Sequence, residues 1–431
     1  MESKLKIPTI ANFTPEVRPL SSDWFISFKD LRVLWEDNWF AVVLEIAGAV
    51  LLYQVFRHAK RTDNHSLYLV LASLFATTCF EILPIIPRPG YQLWWYHQGA
   101  VNILKQRVPS YVITFYALFH YAAYNLTRRS NLPELTRSLV TAVCAVLTVF
   151  PWLWLAPRLL LIFMHFDDPV FKHKFLDVPY IQLVVLTLLF FHTTHLYQQN
   201  YDEIVGHDES FYNLVRCSFQ TGLVSAIYAI VEQYLLYILF NLTMKLPTGV
   251  CLCVALLVLG ILAKKELQSM QIKSYSISDV LTPLKRKEFW TIVAAFAFVS
   301  ALPLWLNISN LKSTSDKLEL GPCNLTHDVS NTSPLEITRR RYICPDDVHH
   351  LHFDFHCVPR SELQNAVKAK TRHYTVCGKS LEHPYQVAKY MVIYSIICLS
   401  SFYFSMLFSF NFGVQKEIHK GQDNIVKGKA L

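Results

Sequence analysis

The sequence FWTIVAAFAFVSALPLWL at Phe289–Leu306 decides the fold, together with VAKYMVIYSIICLSSFYFSMLFSFNF at Val387–Phe412. A helix needs about 20 predominantly apolar residues to cross a hydrocarbon core of about 30 Å. Both runs approach or exceed that length, and the first contains no charged side chain. We therefore expect two transmembrane helices here, separated by a polar segment from about Asn307 to Pro384.

Seven more apolar runs precede this pair, and the whole chain is poor in charge. Charged residues make up 17% of it, against roughly 25% in soluble domains. This pattern predicts an all-α integral membrane protein with a bundle of about nine transmembrane helices. The other seven expected spans are Trp39–Phe56, Ser66–Ile86, Pro109–Tyr124, Ser138–Ala156, Tyr180–Tyr197, Phe219–Phe240 and Gly249–Ala263.

The polar segment between the last two spans predicts the orientation. It carries acceptor sequons at Asn324 and Asn331 and four cysteines: Cys323, Cys344, Cys357 and Cys377. Disulfides persist in oxidising compartments and Asn-x-Ser/Thr is modified in the secretory lumen, so we expect a luminal, disulfide-containing loop. Four cysteines allow three pairings, and their spacing does not choose among them. A zinc site is the competing interpretation, but no Cys-x-x-Cys occurs here.

Nine spans put the first residues in the lumen and the last in the cytosol. We expect a luminal arm at 1–38 with a further sequon at Asn12, a bundle at 39–308, the luminal loop at 309–386, a final span at 387–412 and a basic cytosolic tail at 413–431. Lys427 and Lys429 resemble a dilysine retrieval signal read by the retrograde coat. This predicts the endoplasmic reticulum or early secretory pathway, with the plasma membrane as alternative. A tail attracted to anionic lipid would explain the lysines equally simply.

Three acidic residues lie inside expected spans, where ionisable groups are costly. By a rise of about 1.5 Å per residue, Glu45, Glu81 and Glu232 all fall about 8 to 12 Å below the luminal boundary. His97, in the connection after the second span, could close over them. We expect these four residues to form a site for proton transfer, general acid catalysis or cation binding. The alternative is that each glutamate hydrogen-bonds a neighbouring helix or reaches toward the lipid headgroups.

Histidines recur in two other patterns. In the luminal loop, His350 and His352 alternate with apolar residues, as on one face of a strand, and their spacing would let both bind one metal ion. A pH-sensitive face or a plain solvated strand is the alternative. Within the expected spans, His120 shares a helical stripe with Tyr116 and Tyr124, and His192 and His195 are three residues apart. For both groups we expect interfacial or interhelical hydrogen bonds rather than metal binding.

These observations leave two functions open. One is a luminal intramembrane Glu/His site for a lipid or small polar substrate, in an enzyme or a proton-linked carrier. The other is a non-catalytic receptor, cargo adaptor or assembly factor that acts through its loop. The net charge of +8 does not indicate nucleic acid, because in a membrane protein its distribution matters more than its sum. The expected partner is the bilayer, and the sequence predicts neither a cofactor nor an oligomeric state.

Overall fold

The computed structural model describes residues 25–62, 64–84, 94–97, 99–104, 107–128, 132–164, 171, 173–204, 210–239, 244–267, 287–315, 324–328, 338–340, 352–361, 374–381 and 383–411. Within these ranges a helix covers most of each apolar run named above. The helices are α1 (Leu31–Thr62), α2 (Asn64–Ile82), α3 (Ser110–Thr127), α4 (Glu134–Leu155), α5 (Tyr180–Ile204), α6 (Phe211–Leu236), α7 (Thr248–Leu267), α8 (Lys287–Trp305) and α9 (Pro384–Asn411).

Several of these helices are long and apolar enough to cross a membrane. Five stretches within the described ranges meet that description: Leu31–Arg61, His65–Ile82, Glu134–Leu155, Tyr180–Asn200 and Phe211–Leu239. A shorter apolar helix covers Thr248–Leu262. The expectation of a mostly helical protein with candidate membrane spans is therefore confirmed. The count of nine crossings and the luminal placement of the loop stay predictions.

Helix α5 occupies the centre of the bundle, whereas α1 and α6 lie at its edge. In the most apolar window of α5, 78% of residues are buried, against 28% in those of α1 and α6. Helix α5 packs against α4, α6 and α7. The exposed side chains of α1 and α6 include Ile46, Val50 and Val231. Such apolar surfaces are suited to lipid rather than water.

Helix α1 changes direction at Asn38, next to the expected start of the first span. The backbone of Asn38 is not helical, with φ −149° and ψ 79°. Its side-chain oxygen accepts from the Ala41 amide at 3.3 Å, and its amide nitrogen donates to the Leu159 carbonyl at 3.1 Å. Asn38 thus caps the segment that follows it. The helix begins at Leu31, so part of the arm expected at 1–38 is helical.

Helices α2 and α6 approach each other closely at Gly222. A Cβ atom at this position would lie 2.6 Å from the Ala76 amide nitrogen of α2. Only glycine permits such an approach of two helix backbones.

All the described strands lie in the segment before α1 and in the connections α2–α3, α4–α5 and α8–α9. Strand β1 (Ile26–Phe28) pairs with β3 (Val101–Ile103), which pairs with β4 (Val108–Pro109). Strand β2 (Trp94–Tyr96) pairs with β5 (Ile162–Met164), and β6 (Lys174–Phe175) with β7 (Val178–Pro179). In the long loop, β8 (Lys312–Ser315), β12 (Tyr374–Gly378) and β11 (Phe353–Asp354) form a sheet, and β9 (Thr326–Asp328) pairs with β10 (Thr338–Arg340).

These segments meet at one end of the bundle, because pairs of them are joined by strand pairing or side-chain contact. Strand β1 binds the α2–α3 connection through β3, and β2 binds the α4–α5 connection through β5. The Phe163 and Phe353 rings lie edge to face at 5.7 Å, which joins β5 to the long loop. We call this end the strand side; it consists of the described residues within 25–30, 94–109, 161–179, 307–315, 352–361 and 374–383.

Candidate functional site

Glu45 anchors the α2–α3 connection to helix α1. Its carboxylate accepts the Ala100 amide at 2.5 Å, the Val101 amide at 3.1 Å and the Ser110 hydroxyl at 2.7 Å. The backbone approaches so closely that a Cβ atom at Gly99 would lie 2.6 Å from a carboxylate oxygen. Three donors satisfy this side chain. Its visible role is to hold the connection in place.

Glu81 lies near the end of α2 and accepts hydrogen bonds from the α2–α3 connection. Its carboxylate is buried and accepts the Tyr96 hydroxyl at 2.7 Å and, more weakly, the Trp94 indole N–H at 3.4 Å. Tyr116 of α3 lies close enough to interact with Tyr96 and lines the same cavity. We call Glu81, Tyr96 and Tyr116 the hydroxyl relay. Burial, and then the nearby Glu81, raise the pKa of Tyr96 well above its usual value, so this hydroxyl stays protonated.

A small cavity adjoins the hydroxyl relay. Tyr96, Tyr111 and Tyr116 line it together with apolar residues of α3 and α4, and its volume is about 30 Å³. A buried water needs roughly 10 to 15 Å³ of such space and two or more polar partners. The cavity therefore fits water or a small polar group rather than a lipid.

His97 connects three parts of the strand side. Its amide donates to the Leu161 carbonyl at 3.0 Å, its Nδ1 lies 2.6 Å from the Ser313 hydroxyl, and its carbonyl accepts from the Tyr111 hydroxyl at 3.0 Å. The side chain is fully buried, and Nε2 has no hydrogen-bond partner among the described residues. Burial, with a contribution from Lys29, lowers the pKa of His97 to about 3. The imidazole is therefore neutral at neutral pH.

Glu232 occupies a different environment. Its carboxylate lies 2.9 Å from Nε2 of His192 in α5, and its side chain is 41% exposed. His192 is twelve residues into α5, or about 18 Å from its start at a rise of about 1.5 Å per residue. The depth of Glu232 below a membrane boundary stays a prediction. Counting residues along one helix does not give the partner on the neighbouring helix, so the contact with His192 was not expected.

The structure thus brings three of the four predicted site residues together at the α2–α3 connection, whereas the fourth lies elsewhere. Glu45, Glu81 and His97 all bind or belong to the α2–α3 connection, and Glu232 pairs with His192. The expectation of histidine bonds between helices is confirmed for His192 and for His120. The latter contacts Ser73 of α2 and Thr194 of α5, both at 2.8 Å.

The long loop contains one disulfide among the described residues. Cys357 is bonded to Cys377, which ties the end of the β11 segment to β12. Of the three possible pairings of the four loop cysteines, only one contains the Cys357–Cys377 bond, and it leaves Cys323 and Cys344 as the second pair. Both of these cysteines lie outside the described residues. Asn324 is exposed beside β9, as an acceptor must be. The predictions at Asn12, Asn331, Lys427 and Lys429 also fall outside the described residues.

The predicted metal site gains no support from the groups around His352. His350 lies outside the described residues, and the cations Arg158, Lys174 and Lys379 act on His352. These cations disfavour a bound metal ion. Asp354, His356 and Cys377 could approach one ion elsewhere in the described loop, but the Cys377 sulfur is committed to its disulfide.

Sequence reasoning missed the partners that define the environment of each acid. Tyr96, Ser110 and Ser313 give or accept the decisive hydrogen bonds. The aromatic run Trp94-Trp95-Tyr96 preceding His97 was the available signal for Tyr96. The serines carry no comparable signal.

A family model described as "Domain of unknown function (DUF7802)" matches residues 12–408. The chain belongs to this family. No curated protein and no solved structure matches it. The DUF7802 domain includes every residue of the hydroxyl relay and the whole strand side.

Proposed function

We propose that this protein is a multi-pass membrane protein of the secretory pathway that handles a small polar substrate at the hydroxyl relay. The observation that carries the proposal is the buried carboxylate of Glu81 bonded to the hydroxyl of Tyr96, which lines a small cavity together with two other tyrosines and apolar side chains. Such a carboxylate can accept a proton through Tyr96 or orient a substrate hydroxyl.

The size of the cavity favours a small polar substrate over a lipid. About 30 Å³ holds a water-sized group, and a larger solute would enter only with an opening on the strand side. Ligand pockets for drug-sized molecules are roughly 300 to 1,000 Å³. Within this proposal, Glu45 and His97 are positioning residues, since they hold the connection that carries Tyr96.

The packing of the long loop favours this function over an adaptor that acts through the loop. Phe353, Phe355 and Val376 are buried in the main hydrophobic core together with residues of α3, α4 and α5. A loop sheet fixed to the bundle in this way is mainly structural, as a bundle site requires. An adaptor would instead present its recognition surface outward.

The experiment compares wild-type protein with Glu81→Gln and Tyr96→Phe in liposomes that enclose a pH-sensitive dye. A panel of sugars, polyols, amino acids and small carboxylates is added outside. A solute that drives proton entry identifies a carrier, and a solute converted to product, followed by mass spectrometry, identifies an enzyme. We expect either activity to fall at least about a hundredfold in both variants.

The matched control is Glu134→Gln. It removes an exposed carboxylate from the first turn of α4, and the opposite end of that helix is the one that leads to the strand side. It should keep the wild-type rate. Wild-type rates in Glu81→Gln and Tyr96→Phe would refute the hydroxyl relay. A wild-type protein that neither moves nor converts any solute, yet loses a bound partner when the loop is altered, would favour the adaptor function.

We also propose that the strand side faces the lumen of the endoplasmic reticulum or early secretory pathway. The disulfide between Cys357 and Cys377 and the exposed sequon at Asn324 support this placement. Changing Lys427 and Lys429 to Ser should then release the protein to the cell surface. Unchanged retention would count against the dilysine signal and its coat partner.

A further inference from the structure

We propose that a second pocket on the strand side binds a phosphate-bearing anion, either the head group of an anionic phospholipid or a free phosphate. The pocket lies between the end of α4, the β11–β12 sheet and the start of α9. Its polar lining includes Arg158, His352, Lys379, His383, Gln386 and Tyr390. We call these residues the basic pocket. The inference does not depend on the hydroxyl relay, because the two sites share no residue.

The basic pocket is large enough for such a group. Its volume is about 370 Å³, within the roughly 300 to 1,000 Å³ of ligand pockets. It is built by three separate parts of the chain. Arg158 follows α4, His352 and Lys379 flank the paired strands, and His383 immediately precedes α9.

The charges around the pocket favour an anion. Arg158, Lys174 and Lys379 all act on His352, and among the described residues Asp177 is the one carboxylate that opposes them there. Burial comes first, and Arg158 second, among the causes that lower the pKa of His352 to about 3. The neutral imidazole can therefore donate a hydrogen bond without adding to the charge.

Asp177 offsets only one of these three cations, because its carboxylate is paired with Arg158. Its carboxylate accepts from Arg158 at 2.6 Å, and Arg158 also donates to the Trp154 carbonyl and lies 3.7 Å above the Trp154 ring. Arg158 is thus fixed in place. Within the described part of the chain, no ion pair involves Lys379. A lysine so placed can bind phosphate as a point charge.

Helix α9 contributes in two further ways. It begins at Pro384 beside the pocket, and the amide groups of a first helical turn attract anions. Beyond Tyr390 its surface is exposed and apolar, with Val392, Ile393, Ile396 and Ile397. A phospholipid with its phosphate in the basic pocket could lay an acyl chain along this surface. A free phosphate would use the pocket alone.

The test uses full-length protein in nanodiscs of phosphatidylcholine, with and without phosphatidic acid, and reads bound lipid by native mass spectrometry. Inorganic phosphate is the probe for a free anion, added to protein in detergent without phospholipid. Loss of one charge-assisted hydrogen bond should weaken binding by about tenfold or more. We therefore expect Lys379→Gln to lose that much of the preference for whichever probe binds.

Lys312→Gln is the matched control, because Lys312 is exposed on the neighbouring strand β8 and does not line the pocket. It should bind as wild type does. Where Lys379→Gln does not fold, His383→Gln tests the same wall at an exposed position. Selective retention of phosphatidic acid identifies a lipid site, and binding of inorganic phosphate alone identifies a site for a soluble ligand. Equal retention of both lipids without phosphate binding would overturn the proposal, as would wild-type binding in the pocket variants.

Discussion

The hydroxyl relay and the basic pocket lie on the same side of the bundle and differ in each property that decides what binds there. The relay adjoins a cavity of about 30 Å³ and ends in the carboxylate of Glu81. The basic pocket has a volume of about 370 Å³ and is lined by two cations, Arg158 and Lys379. One suits a proton, water or a hydroxyl group, and the other suits a bulky anion.

The difference follows from how each site is built. The relay takes its tyrosines and its glutamate from α2, α3 and the connection between them, so its side chains are packed by the bundle. The basic pocket is built mainly from residues of the long loop and the first turns of α9. Helix packing excludes bulky ligands from the first site, whereas the loop leaves space at the second. A substitution that loosens the α2–α3 connection should therefore affect the hydroxyl relay and spare the basic pocket. A substitution that loosens the long loop should do the opposite.

The largest effect is expected from Glu45→Ala, which removes the anchor of the relay's connection. Two backbone amides and the Ser110 hydroxyl lose their acceptor. At about 1 to 3 kcal/mol for each unsatisfied group, and with partial access to water, we expect a loss of about 4 kcal/mol. The free energy of unfolding in detergent, measured by denaturant titration, tests this.

Glu134→Ala is the control and should change stability by about 0.5 kcal/mol or less, because that carboxylate is exposed. The comparison between the two sites becomes sharper if Glu45→Ala abolishes activity at the relay and leaves the preference for phosphatidic acid intact. Equal losses at both sites would mean that the strand side is one cooperative unit.

The second largest loss of stability is expected from removing the Cys357–Cys377 disulfide, which braces the loop beside the basic pocket. Cys357 and Cys377 are 20 residues apart, and closing a loop of that length stabilises a chain by about 3 kcal/mol in the entropic account. The double variant Cys357→Ala with Cys377→Ala should lose about that much stability and weaken anion binding. Its activity at the relay should stay near wild type, and a matching loss there would contradict the division of the two sites.

Sequence reasoning reached the helices and the acids but not the relation between them. Long apolar runs predict helices well, because the cost of burying an unpaired backbone leaves few other structures in a membrane. Helix α1 nevertheless begins at Leu31 rather than near Trp39. Asn38 interrupts it, and nothing in the local sequence marks the carbonyl of Leu159 as its partner.

The shared depth of the three glutamates stays a prediction. Each depth is counted from the end of its own helix, so it does not show which side chains on neighbouring helices meet. The contacts of Glu81 with Tyr96 and of Glu232 with His192 come from the structure alone. The basic pocket was hidden for a similar reason. Its cations, Arg158 and Lys379, are more than two hundred positions apart in the chain, and no spacing rule connects residues at that separation.

The third prediction concerns His97, which joins the two halves of the strand side and should make both sensitive to acid. Its pKa is about 3 in the folded protein and about 6.5 when unfolded. The unfolded chain therefore binds more protons between these values, so stability is complete above about pH 6.5 and falls as the pH drops toward 3. At pH 5.5 the loss from this one residue is about 1.4 kcal/mol.

Thermal unfolding of detergent-solubilised protein between pH 7.5 and 5.0 measures this slope, to which His352 contributes in the same direction. His97→Gln keeps a polar partner for Ser313 and removes the titrating group, so its slope should be smaller than that of wild type. His356→Gln is the control, since His356 is an exposed loop residue. An unchanged slope in His97→Gln would show that the buried imidazole does not govern the acid response. The link between the relay's connection and the sheet of the basic pocket would then depend on packing alone.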